Sequence, residues 1–184
     1  MALSPEAIVG AALGILDRFG LADLSMRRVA GALDVKAGAL YWHFPNKQTL
    51  LAAVADEVLT DLDGDGPATE WDRWLLDWAA RLRALLLAHR DAAELVASAT
   101  AMGLGRVDPC GAGRLVLERA GVAPDDAEAA MQALLHFVLG HVTEEQTQAQ
   151  LLELGVLAEI DDARSERHFS RGVDLLVAGI RALS

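Results

Sequence analysis

One cysteine, Cys110, is all that a chain of 184 residues offers, so no internal disulfide can staple it. Proline occurs five times and aromatic residues make up 5%. Basic residues are scarce too: 16 Lys and Arg face 27 Asp and Glu, and the net charge of -11 argues against a general polyanion binder. No uninterrupted apolar run reaches the roughly 20 residues that span a bilayer. The longest uncharged stretch of the C-terminal half, Ala129 to Thr143, contains two histidines. No charged-then-apolar leader opens the sequence, so a cytoplasmic protein without a membrane segment is expected. What is abundant is Ala and Leu. With 53% hydrophobic residues, the composition points to a compact all-α protein of one large or two small domains.

The acidity is uneven. Residues 1–60 carry five basic and six acidic side chains, a net of -1, which leaves -10 for the remainder. Between Ser25 and Gln48 four basic residues face Asp34 alone, a local +3. The same stretch breaks into short helical pieces. Ser25 can cap a helix over Met26 to Leu33, with Val29, Ala30 and Leu33 on one apolar face. Asp34-Val35-Lys36 is a short turn, and Ala37 to His43 reads as a second, very short helix. Small Ala37, Gly38 and Ala39 would let its N-terminal end approach base edges in a major groove. The aromatic run Tyr41-Trp42-His43-Phe44 follows. Pro45 forces a break, and Asn46 caps a helix carrying Leu50, Leu51, Val54, Val58 and Leu62. Helix, short turn, short helix and capped connecting helix make a helix-turn-helix DNA reader.

Ahead of it, Ser4-Pro5 opens a helix whose Ile8, Ala11, Ala12, Ile15, Leu16 and Phe19 share a face, ending at Gly20. This helix is expected to pack across the reader and turn its N-terminus towards a phosphate. Behind it, Asp63-Gly64-Asp65-Gly66-Pro67 marks a boundary between a head, 1–62, and a body, 67–184. Thr69 can cap a helix to His89 with the stripe Trp71, Trp74, Trp78, Leu82 and Leu85, which reads as core packing and also as a pocket wall. Helices over 92–102 and 114–120 flank a Gly-rich connection. Pro124 then begins a long apolar helix to about Leu152, and Phe169, Val173, Leu176, Val177, Ile180 and Leu183 mark a last amphipathic one. Two helices this apolar suggest a four-helix bundle across a two-fold axis, built on Met131, Leu135, Val138 and Val142 with Phe169, Val173, Leu176 and Ile180. Packing inside a single chain is the competing reading of the same residues.

Ser25-x-Arg27, Leu40-Tyr41-Trp42-His43-Phe44 and Asn46-Lys47-x-x-Leu50-Leu51 resemble the DNA-binding signature of the tetracycline-repressor family of transcriptional regulators. His89-Arg90-Asp91, His136-Phe137-x-Leu139-Gly140 and Glu144-Glu145-Gln146 resemble that family's regulatory domain. The resemblance implies that Arg27 reaches a base edge and that Lys36, Ala37, Gly38 and Tyr41 face bases. It places Ser25, Ala39, Trp42, His43 and Lys47 at backbone-contacting positions. It also implies a homodimer on a palindromic double-stranded operator, controlled by a small-molecule effector. Tetracycline repressors hold a magnesium–drug chelate through two histidines, and the matching positions here are Leu62 or Asp63 and Val96. No metal and no cofactor are therefore expected, and Glu144, at a carboxylate position of that family, has nothing to orient. A mainly apolar effector against Trp74, Trp78, Leu134, Phe137 and Val138, anchored by His136 or His141, is expected instead.

Two other classes compete. A catalytic metal site fails on spacing, because His136 and His141 are five apart and do not share a helix face. No nucleophile elbow or phosphate-binding Gly loop is present, so an enzyme is not expected. A helical protein-interaction module is argued against by the short helix and its exposed-looking aromatic end. The expected function is thus a ligand-responsive transcriptional repressor, released from its operator by its effector.

Overall fold

The computed structural model describes residues 3–62 and 70–182, and every element among them is a helix. The boundary turn Asp63–Pro67, the cap expected at Thr69 and the last stripe residue Leu183 lie outside the described residues. Contacts gather the chain into two units. The first contains the residues up to Thr60 together with Leu86–Val107, and the second contains Asp61–Leu85 and the chain from Asp108 onward. A boundary drawn at residues 62–67 alone assigns 86–107 to the body, whereas these residues pack with the head.

In the first unit, α1 spans Pro5–Phe19, with the Ser4 hydroxyl accepting from Ala7 N–H at 3.2 Å and Pro5 at the first helical position. Ile8, Val9, Ala12, Ile15 and Leu16 form its buried face. The helix stops at Gly20, which a side chain could not replace: φ is 83°, and an added Cβ would lie 2.7 Å from Asp91 Oδ2. α2 covers Met26–Ala32 and α3 only Ala37–Leu40. The expected extension of α3 to His43 does not form. His43 and Phe44 N–H both close on Leu40 O, and the ring of Pro45 disfavours a helical Phe44, so Tyr41 to His43 make a turn.

α4, Lys47–Val58, is fixed by a capping box in which Asn46 and Thr49 satisfy each other's backbone N–H groups. It ends at Val58 rather than Leu62, because Leu59 N–H and Thr60 N–H bond back to Ala55 O and Glu57 O in a closing turn. α6, Ala92–Met102, lies against α4 and ends at Gly103, φ 63°.

α5, Trp71–Leu87, runs through the second unit to Leu85 and enters the first at Leu86. Its buried face is Leu75, Trp78, Ala79, Leu82 and Leu86, rotated from the expected stripe, and Trp71, Trp74 and Leu85 are half-buried. The second unit continues with α7, Gly111–Arg119, α8, Pro124–Glu153, and α9, Asp162–Arg181, and α8 packs on both neighbours. α7 starts at Gly111, three residues before the expected start. Asp108 Oδ1 accepts from Cys110 N–H, and Asp108 O from Gly111 N–H, which turns the chain into the helix early.

Candidate functional site

The reading end of the first unit is assembled from caps. Ser25 Oγ accepts from Arg28 N–H at 3.2 Å and starts α2. Between α2 and α3, Val35 N–H returns to Ala30 O at 3.0 Å, and Asp34 takes the left-handed conformation, φ 53°, that Asp tolerates better than most side chains. The turn is therefore tight. Arg27, in the first turn of α2, is exposed and makes no hydrogen bond or ion pair among the described residues. Arg28 is occupied: its guanidinium pairs with Asp23 and lies 4.1 Å from the centroid of the Phe19 ring. Counting Asp23, residues 23–48 carry +2 rather than +3.

Of the residues expected at the DNA, Ser25, Arg27, Lys36, Gly38, Tyr41, Trp42 and His43 are exposed, and Ala37, Ala39 and Lys47 are half-buried. Trp42 is 90% exposed and Tyr41 49%, while Phe44 turns inward at 8%. An indole left in water at the end of a short helix is a large apolar surface without an internal partner. At the start of α1, where a phosphate was expected, Glu6 accepts from its own backbone N–H and from Ser4, which holds its carboxyl below the usual range. An approaching phosphate would meet that carboxylate.

α6 is tied to the rest of the first unit at both ends by carboxylates. At its start, Asp91 Oδ2 accepts from Leu21 N–H at 2.8 Å, and His89 Nδ1 lies 3.0 Å from Asp17 Oδ1. Beyond its end, buried Asp56 of α4 accepts from Arg106 N–H at 2.9 Å and Val107 N–H at 3.0 Å. Gly105 allows that approach, since a Cβ there would stand 3.0 Å from Asp56 Oδ1. Nothing in the sequence marks Asp56 as different from its neighbour Glu57. Only its position on the buried side of α4 does, and that follows from helix phase.

In the second unit, the half-buried Arg83 of α5 grips Glu145 of α8 with Nε at 3.0 Å and Nη2 at 2.6 Å, and also pairs with Glu166. Ser165 Oγ donates to Glu145 at 2.6 Å and lies 3.1 Å from His141 Nε2. Burial raises the Glu145 carboxyl, yet the Arg83 and Ser165 hydrogen bonds outweigh it and hold the group below the usual range. The rings of Phe137, His141 and Phe169 stack beside this network, and Arg83 lies over Phe169 at 4.8 Å. Glu145 and His141 touch the same hydroxyl, and both contacts of His141, to Ser165 Oγ and at 3.6 Å to Glu145, are made by Nε2, so among the described residues no carboxylate orients the imidazole through its second nitrogen. The cluster is an ion-paired core.

Several expected positions are corrected here. His136 is exposed on α8, opposite the buried face, and cannot anchor a ligand inside its own chain. Glu144 is also exposed, hydrogen-bonded to Gln148, and its neighbour Glu145 is the inward carboxylate. Trp78 is core: it is 2% exposed and its Nε1–H donates to Pro109 O. Leu134 and Val138 are fully buried, Phe137 is half-buried, and Trp74 stands 3.1 Å from a Cβ built on Gly113. Met131, Leu135, Val138, Val142, Phe169, Val173 and Ile180, expected at a dimer interface, are all covered within one chain, and Leu176 is half-buried. Side chains so covered have no surface left for a symmetry mate. The face of α8 that does remain open is Ala129, Ala133, His136, Gly140 and Thr143, at alternating steps of four and three.

Cys110 is buried, which pushes its thiol up to about 12 and leaves it unreactive. Among the described residues no group of three or more His, Cys, Asp or Glu is placed to hold a metal ion, and no helix is long and apolar enough to cross a membrane.

Comparison with known proteins bears on both units. A family model described as bacterial regulatory proteins, tetR family, matches residues 8–54, and one described as tetracyclin repressor-like, C-terminal domain, matches residues 63–154. The class A tetracycline repressor protein from transposon 1721 of Escherichia coli is 31% identical over 97% of this chain and 90% of its own length. The crystal structure of Mycobacterium smegmatis BioQ superposes with a TM-score of 0.91 at 39% identity, covering 100% of both chains. A structure of BioQ with its natural double-stranded DNA operator superposes with a TM-score of 0.83 at 38% identity, over 97% of this chain and 98% of that one.

Proposed function

This chain belongs to the TetR family of bacterial regulatory proteins, a ligand-responsive DNA-binding transcriptional regulator and not an enzyme, and from that premise we propose how its residues divide the work. Arg27 reads a base edge, with Lys36, Ala37, Gly38 and Tyr41 against neighbouring bases. Ser25, Ala39, Trp42, His43 and Lys47 hold the backbone and fix the register. The observation that carries this reading is the pair of exposed aromatics, Trp42 and Tyr41, at the end of a four-residue helix, together with an exposed arginine in the first turn of α2 that has no partner among the described residues. The operator is palindromic because two heads related by a two-fold axis read it. A chain that works on DNA belongs in the cytoplasm of a bacterium.

The effector binds in the second unit against the half-buried Trp74 and Phe137, with His141 as its polar anchor. Its binding and operator binding are coupled, so each weakens the other by the same factor, and the protein acts as a repressor. The dimer face is the open side of α8, where small residues let a second helix approach closely, extended by Leu175 of α9, which is 59% exposed. Gly140→Arg places a bulky charge there without touching the core. Light scattering should then give a monomer with unchanged helical content and weakened operator binding. A dimer that persists in that variant, or a wild-type monomer at micromolar concentration, would overturn the assignment. Genomic fragments retained by the purified protein should share one palindrome, and retention without a shared sequence would refute specific reading.

A further inference from the structure

The first unit carries a cleft that neither DNA reading nor the effector region of the second unit uses. It encloses about 630 Å³ between the first turn of α1, one side of α4 and the loop after α6, a size within the usual range for small-molecule sites. Its apolar part is Val9 and Phe44, both buried, with half-buried Ala53 and Val107. Leu104 stands at its edge 46% exposed, an apolar side chain that a ligand would cover.

The polar lining has one character. Glu6, Asp56 and Glu57 face a single cation, Arg106, so the cleft is formally -2. Asp56 is committed to the Arg106 and Val107 N–H groups, and the Arg106 side chain is 89% exposed, with its Nε 3.5 Å from Asp56. Glu57 is exposed and makes no hydrogen bond or ion pair among the described residues. The hydroxyl proton of Thr60 is donated to Asp56 O, so its oxygen offers an acceptor to a ligand, while the Thr49 hydroxyl is held in the α4 capping box. Carboxylates and acceptor oxygens around an apolar surface repel an anion, leave a neutral hydrocarbon's polar neighbours unmatched, and suit a donor-rich cation.

We propose that this cleft binds a small organic cation, an amidinium or amine on a flat apolar body, with Glu57 and Glu6 holding the charge and Val9, Phe44 and Leu104 covering the body. The site is distinct from the effector region and does not depend on that assignment. Its lining joins Phe44, which follows the reading turn, to α4 and to the loop that Asp56 holds. A bound cation therefore bridges three segments of the head and shifts operator affinity, as the operator shifts affinity for the cation.

The test is an amide chemical-shift titration of the full chain with benzamidine, benzamide and benzoate, three probes of nearly one shape and different charge. Benzamidine should move the amides of Ala53, Glu57, Leu104 and Val107 and saturate below about 10 mM, as befits a fragment-sized ligand. Benzamide and benzoate should not saturate. The double variant Glu6→Gln, Glu57→Gln should stay folded with unchanged helical content and bind benzamidine roughly tenfold more weakly, the loss expected for two solvent-exposed charge pairs. No saturation by benzamidine, an equal response to benzamide, unchanged affinity in the double variant, or shifts confined to the second unit would each overturn the proposal.

Discussion

Arg27 and Arg28 are neighbours in sequence with opposite fates. The guanidinium of Arg28 is held by Asp23 and the Phe19 ring, while that of Arg27 is open to solvent. Arg27→Ala should therefore cost about 1–3 kcal/mol of operator binding and relax preference at one base pair, whereas Lys47→Ala should weaken all sequences alike and flatten the salt slope by about one phosphate. Binding measured against a panel of single-base operator variants over a range of salt checks both. Equal weakening of every operator variant by both substitutions would remove Arg27 from base reading. Arg27 was legible in the sequence through its place two residues after the cap. The occupation of Arg28 was not, because Asp23 precedes the cap and Phe19 belongs to another helix. The same limit explains Glu144 and His136. One residue is 100° of helix, so a stripe drawn a single position out of phase exchanges inward and outward neighbours.

At the scale of the elements, caps and breakers were legible and the short pieces were not. Ser4, Ser25 and Asn46 start helices where their side chains can reach the backbone, and Gly20 and Gly103 end them. α3 and the end of α4 came out shorter than their apolar patterns, because closing turns at Leu40 and Ala55 overrode the periodicity. Least legible was the attachment of α6 to the head, which depends on pairs far apart in sequence: Asp91 with Leu21, and Asp56 with Arg106 and Val107. Asp56→Asn tests that attachment. The amide keeps one acceptor but turns an N–H group towards backbone donors, at a cost of about 1–3 kcal/mol for the broken buried hydrogen bonds. Amide exchange at Arg106 and Val107 should accelerate and the melting temperature should fall, with α8 protection unchanged. If exchange rises uniformly along the chain, or not at all, Asp56 does not hold the loop.

For the whole molecule, the sequence showed the all-α class and the acid-rich C-terminal half, and it left open what fills the regulatory interior. By resemblance the chelating histidines of the tetracycline repressors fall at Leu62 or Asp63 and near Val96, of which Leu62 and Val96 are 1% and 0% exposed and Asp63 lies outside the described residues. Neither Leu62 nor Val96 offers magnesium a lone pair, both are closed in by apolar packing rather than shaped around water, and none of these positions carries an imidazole. The inward carboxylate of α8, Glu145, is already bound by Arg83 and Ser165. Recruiting it to a metal would leave the half-buried Arg83 guanidinium with Glu166 alone and take away the acceptor of the Ser165 hydroxyl, and diverting one partner of such a network is costly. Tetracycline with magnesium should therefore bind weakly or not at all, although the chain shares its family with repressors named for that drug. Intrinsic fluorescence reports this directly, because Trp71, Trp74 and Trp78 belong to the second unit, and the exposed Trp42 supplies a background that a ligand there leaves unquenched. Titration of tetracycline should give the same shallow curve with and without magnesium, and magnesium-dependent quenching at submicromolar drug would sink the prediction.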